Sequence, residues 1–227
     1  MNKRSLIILF LFSTLVSCGT FFKKVSGFKN PKVENKQTLY TYFTEAMPNE
    51  KTYFLTVEKI ADSTAIFNSF LYGFTSDMKI FSKAGQKYCY NGTGECSGSQ
   101  MTSAFNNFND TYTACVEETD ENLTNILSKL NDENGNKITI DDLPESDYYI
   151  FQNWNKYSNS KKSLRQDAKW ISNLKENSTI NATIIFINGD LLEDWGLEEN
   201  GELKTKFRKD GNGLSFSIIF GKLPYKN

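Results

Sequence analysis

The chain has 227 residues, 39% of them hydrophobic and 14% aromatic, which is enough to fill a core and excludes a disordered tail, a collagen-like fibre and a disulfide-stapled miniprotein. Its 26 basic and 27 acidic residues nearly cancel, and the only arginines are Arg4, Arg165 and Arg208, so the electrostatic footprint of a nucleic-acid partner is missing. Histidine is absent, which removes the usual general base near neutral pH, the commonest zinc ligand and every Ser-His or Cys-His pair, and with them most hydrolase mechanisms.

At the N-terminus, Lys3 and Arg4 precede an apolar run from Leu6 to Phe12 that continues more weakly to Val16. This is the pattern of a secretory signal peptide, and it falls short of the roughly 20 apolar residues of a membrane span. Leu15-Val16-Ser17-Cys18-Gly19 resembles the bacterial lipobox. The resemblance implies that residues 1–17 are removed, that Cys18 is diacylated and that the new N-terminus is acylated again. Each buried methylene contributes about 0.8 kcal/mol, so two or more chains hold a protein stably on a membrane. Residues 18–37, with Gly19, Gly27, Pro31 and several lysines, then read as a lipidated tether. Gly19-Thr20-Phe21-Phe22-Lys23-Lys24 resembles neither the inner-membrane retention signal nor the acidic surface-export run of such lipoproteins. The expected location is therefore the cell envelope, at the outer membrane facing the periplasm.

Residues 38–118 read as an N-terminal α/β segment. Tyr53-Phe54-Leu55-Thr56-Val57 is a β-branched and aromatic run, hence a strand. Asp62 and Ser63 can cap a helix carrying Ile66, Phe67, Phe70, Leu71 and Phe74, with Gly73 weakening its last turn. Asp62-Ser63-Thr64 also resembles the short O-glycosylation motif of Bacteroidetes, which a helix cap explains equally well. Met78 to Phe81 and Gln86 to Tyr90 predict a hairpin, and Met101, Ala104, Phe105 and Phe108 a helix. Cys89 and Cys96 bracket a turn-forming Tyr-Asn-Gly-Thr-Gly-Glu loop, so the expected disulfide joins Cys89 to Cys96 and leaves Cys115 free or buried. Their spacing differs from C-x-x-C, and without histidine or a second close pair no metal site is expected.

Residues 119–227 begin with a helix bearing Leu123, Ile126, Leu127 and Leu130. The stretch from Asn131 to Asp142 has two readings: a calcium loop lacking the required glycine and bidentate glutamate, or a hairpin turning at Asn134-Gly135. Tyr148 to Trp154 and Thr183 to Asn188 read as buried strands flanking a helix marked by Leu164, Ala168, Ile171 and Leu174, with Trp170 at its edge, which makes a parallel β-α-β unit. Asp190, Asp194 and Trp195 follow the second strand, where open α/β sheets place ligands, although a helix cap and a core anchor account for them too. Leu203 to Arg208 and Leu214 to Phe220 predict a closing hairpin.

Asn134-Gly135-Asn136-Lys137-Ile138-Thr139-Ile140-Asp141-Asp142-Leu143 and Asn153-Trp154-Asn155-Lys156-Tyr157-Ser158-Asn159-Ser160-Lys161 together resemble the entry hairpin and active-site run of the redoxin group of thioredoxin-fold proteins. The resemblance implies an α/β, or α+β, domain with a thioredoxin-like central mixed sheet flanked by helices. It places Ser158 and Lys161 at the two cysteine positions, beside Trp154, as a binding site. Serine cannot replace a thiolate in disulfide exchange. The Met78 to Phe108 segment looks like the tail of another such unit, which leaves two units or one shared sheet open. The expected function is that of a lipid-anchored envelope protein, redox-inactive, without cofactor or catalytic residue, that binds or scaffolds an envelope partner. The alternative is a periplasmic thiol-disulfide oxidoreductase using Cys89, Cys96 or Cys115, and a third reading is a calcium-dependent module around Asn131 to Asp142.

Overall fold

The computed structural model describes residues 29–57, 60, 62–74, 78–94, 96–116, 121–209 and 216–226. The expected signal peptide, the lipobox-like run with Cys18 and the expected tether up to residue 28 lie outside the described residues, as does the turn expected at 209–213 from residue 210 onward. Among the described residues no helix is long and apolar enough to cross a membrane.

The C-terminal part supplies the centre of the fold. β7 (Tyr148–Trp154) and β8 (Ala182–Asn188) are nearly continuous apolar runs, as strands covered on both faces must be, and they lie parallel, with Phe151 opposite Ile185 and Trp154 opposite Asn188. Between them runs α6 (Lys161–Glu176), capped by the Ser160 hydroxyl on the Ser163 amide and burying Leu164, Ile171 and Leu174. This is the expected β-α-β unit.

The other strands come from upstream. β2 (Thr52–Leu55) lies parallel to β8 on its far side, and β6 (Leu130–Asn131) runs antiparallel at the edge beyond it. On the other flank β3 (Lys79–Ser82) runs antiparallel to β7, followed by β4 (Lys87–Tyr90) and β5 (Tyr112–Ala114). The result is one seven-stranded mixed sheet in the order β5-β4-β3-β7-β8-β2-β6, so the class is α/β. A boundary at residues 118 and 119 does not divide this sheet, because β3 and β2 flank the β7-β8 pair directly.

The strands' period of two sorts the helices onto two faces. Trp154 and Phe186 meet Phe43 of α1 (Lys36–Thr44), whereas Asn153, pointing the opposite way, donates to the Tyr72 carbonyl of α2 (Ser63–Phe74) at 2.7 Å. α1 and α3 (Ser97–Asn106) both pack on α6, and the short helices α4 (Phe108–Thr111) and α5 (Leu123–Leu127) lie between α3 and α6 in the chain. Asp62 caps α2 by accepting from the amides of Thr64 and Ala65. Gly73, expected only to weaken the last turn, is where α2 touches the loop after β8: a Cβ there would stand 2.4 Å from the Cα of Gly189.

Three expectations need correction. The closing hairpin forms, as β10 (Thr205–Lys209) and β11 (Phe216–Phe220), but as a separate two-stranded sheet. Both edges of the β7-β8 pair are already taken by β3 and β2, so Phe220 instead packs edge-on against Phe67, Phe70 and Phe74 of α2.

The disulfide joins Cys89 to Cys115, not Cys89 to Cys96, and among the described residues the free thiol is Cys96. On β4, Tyr88 and Tyr90 face the helical side, where they meet Phe108 and Ser103. Cys89 therefore points to the opposite side. In the β4-β5 ladder it opposes Thr113, one pleat from Cys115, with Cα atoms 5.1 Å apart. Cys96, as the N-cap of α3, belongs to the helical side.

The third correction concerns residues 29–37, which are not tether. β1 (Val33–Glu34) pairs parallel with β9 (Leu191–Leu192), the Lys29 amide donates to the Tyr157 carbonyl at 3.1 Å, and Asn35 caps α1.

Candidate functional site at the carboxyl ends of the parallel strands

β7 and β8 end side by side at Trp154 and Asn188, and the loops that follow form the crevice where open α/β sheets bind ligands. The Gly189 amide donates to the Trp154 carbonyl at 2.8 Å and closes the two loops together. Asp190, 1% exposed, accepts at one carboxylate oxygen from the Lys156 amide and from Asn188 Nδ2, both at 2.8 Å. Lys156 Nζ reaches across to Glu34 Oε2 at 2.6 Å, which brings β1 into the wall. Lys29, Lys32, Tyr157 and these three residues line a cavity of about 240 Å³.

The electrostatics follow from burial. Loss of water pushes the Asp190 carboxyl up to about 7, against the pull of its two hydrogen bonds and the nearby ammonium of Lys156, and Glu34 adds to the rise. Burial, then the neighbouring Asp190, drives the Tyr157 phenol far above its ordinary value. The crevice thus holds a carboxyl that gains and loses its proton near neutrality, an ion pair in its wall and two lysines at its rim. Such a set is chemically suited to binding a charged group and to holding a proton. It contains no nucleophile with an attached base.

The structure gathers Trp154, Ser158 and Lys161 at this end of the sheet but does not converge them. Trp154, 3% exposed, donates from Nε1 to Thr52 Oγ1 at 2.7 Å and packs against Phe43 and Tyr42. The Ser158 amide and hydroxyl both donate to Asn155 Oδ1, and the Asn155 amide donates to Asn159 Oδ1, so residues 155–159 close on themselves. Ser158 lies two residues ahead of the Ser160 cap, and its hydroxyl has an amide oxygen, not a base, as partner. Lys161 pairs with Glu45 and stands 5.1 Å from the centroid of the Tyr42 ring. Its ammonium holds the Glu45 carboxyl below the usual range.

Of the crevice residues, Asp190 carried a signal in its place after a parallel strand, and Lys156 and Tyr157 lay within the run that resembles the redoxin active site. Glu34 and Lys156 are 122 residues apart and their pairing has no local signature.

The Asn131 to Asp142 loop turns at Asn134-Gly135, with Gly135 at φ 88° and one isolated bridge between Asn131 and Lys137, but residues 137–140 do not form the second strand of a hairpin: Ile140–Asp142 is a short 3-10 helix. Two of its carboxylates are used internally. Asp132 accepts from the amides of Asn134 and Asn136, and Asp142 from the amide and hydroxyl of Thr139. Among the described residues no group of three or more histidine, cysteine or acidic side chains is placed to hold a metal ion.

Comparison with protein families, with curated proteins and with solved structures finds no match to this chain. The crevice must therefore be read from its own chemistry.

Proposed function

We propose that the protein is a lipid-anchored cell-envelope protein, held through Cys18 at the periplasmic face of the outer membrane, whose thioredoxin-like domain binds a partner or ligand and does not exchange thiols. The observation that carries this reading is the closed turn at residues 155–159: the positions that align with the redoxin thiols hold a serine bonded to Asn155 and a lysine bonded to Glu45. A thiolate is the obligatory attacker in disulfide exchange, so this end of the sheet lacks the reacting group. The crevice beside it, with buried Asp190 and the Glu34-Lys156 pair, supports binding of a charged group. The thioredoxin-like assignment is further supported by a β-α-β unit next to an antiparallel hairpin, with that hairpin contributed from upstream.

Thiol exchange through Cys96 is the second reading, and one observation favours it. Cys96 is exposed at the start of α3, where its thiol donates to the Ser99 hydroxyl, and this hydrogen bonding, with the backbone of the first turn, holds the thiol below its ordinary value. A disulfide-reductase assay with dithiothreitol as the electron source separates the two. The binding reading predicts the same rate for the parent protein, for Cys96→Ser and for buffer alone. A rate well above buffer that disappears in Cys96→Ser would replace binding by exchange.

A further inference from the structure

α6 turns Leu164, Ile171 and Leu174 into the core, and Asp167 lies on the same stripe, three residues after Leu164 and four before Ile171. The acidic residues that α1 and the turn after it present to α6 are matched: Glu45 pairs with Lys161 and Glu50 with Lys175. Asp167 has no hydrogen-bond or ion-pair partner among the described residues, and burial alone raises its pKa. A half-buried carboxylate without a counter-charge costs stability and contributes nothing to packing.

In front of it lies a cavity of about 210 Å³, lined by Met47 from the turn after α1, by α3, by α6 and by the sheet face that carries Trp154 and Phe186. Its walls include the indoles of Trp154 and Trp170 and the thioethers of Met47 and Met101, and no lysine or arginine lines it. Ser97 and Gly98 reach it from the start of α3. The cavity therefore presents one negative charge to a space bounded by aromatic and polarisable surfaces and by the neutral residues Gln152, Asn153 and Asn159. That is a surrounding in which a cation with apolar substituents gains twice, from the carboxylate and from the ring faces.

We propose that this cavity binds a small alkylammonium ion, its nitrogen against the Asp167 carboxylate and its carbon substituents against the indoles of Trp154 and Trp170. The volume suits an ion of the size of choline and is too small for a drug-sized ligand. The site is separate from the Asp190 crevice and does not depend on how that crevice is read.

The test titrates choline into the full chain in a maltoside detergent, slightly above neutral pH, followed by calorimetry and tryptophan fluorescence. Dimethylbutanol, the neutral carbon isostere, serves as control. Choline should give a saturable signal, and the alcohol should bind at least about tenfold more weakly. Asp167→Asn should lose choline affinity by about tenfold or more while its thermal midpoint stays at or above that of the parent, since an unpaired charge is removed. Trp170→Leu should weaken choline with Asp167 in place. Absence of a saturable choline signal, equal binding of the isostere, or Asp167→Asn binding choline as well as the parent would each overturn the proposal.

Discussion

Asp190→Asn stabilises the protein near pH 8 and changes it little near pH 4, with a difference between the two conditions on the order of 3 kcal/mol. The sign follows from where the proton sits. Asp190 has its folded-state pKa raised from 3.8 to about 7, chiefly by loss of water. Below the lower value both folded and unfolded chains carry the proton, and the favourable contribution is fully present. As the pH rises through that window the unfolded chain ionises while the folded chain resists, so stability falls until about 7. Asparagine keeps an acceptor oxygen for the Lys156 amide and the Asn188 side chain but has no charge to desolvate. Other carboxylates, such as Glu45 and Glu121, are held low by lysines and lose their contribution as pH falls. The quantity to measure is therefore the difference between variant and parent in urea denaturation at each pH. An equal effect at both would mean that the Asp190 carboxyl titrates at its ordinary value.

Trp154→Ala is expected to cost about 3–5 kcal/mol, the range for removing a large aromatic from a packed interior. The indole lies 4.9 Å from the Phe43 ring, stacks on Tyr42 and donates to Thr52 on the neighbouring parallel strand. It ties α1, β7 and β2 together at one point. Trp154→Phe, which keeps the ring contacts and loses the hydrogen bond and part of the volume, should cost roughly 1–2 kcal/mol. A shifted urea midpoint with an unchanged slope would identify the loss as one of native packing. A cost for Trp154→Ala below about 1 kcal/mol would contradict its role as the anchor of this end of the sheet.

Local patterns made part of this legible. The apolar runs of β7 and β8 and the stripe Leu164, Ile171, Leu174 specify the β-α-β unit, because burial on two faces and the helical period act within a few residues. Ile66 and Phe70 marked the buried face of α2 in the same way. Strand partners were not legible in that sense. β3 and β10 both belong to short hairpins, and nothing local says that β3 pairs with β7 while β10 does not. The disulfide shows the same limit: turn formers between Cys89 and Cys96 suggest a short ring, but the pleat of β4 turns Cys89 away from α3 and toward Cys115. At the crevice, Asp190 stood at a recognisable place, yet its buried state depends on Glu34 and Lys156 closing over it from distant parts of the chain.

The anchor is the part of the account on which location and partner both depend, and mass spectrometry of the N-terminal peptide tests it most directly. The full chain, expressed in a bacterium that processes lipoproteins, should yield a peptide that begins at Cys18 with diacylglycerol on its sulfur and an acyl group on its amine. The protein should enter the detergent phase, and Cys18→Ser should remain unprocessed. An N-terminal peptide carrying an unmodified Cys18, or one cleaved elsewhere in a protein that stays in the aqueous phase, would contradict the account.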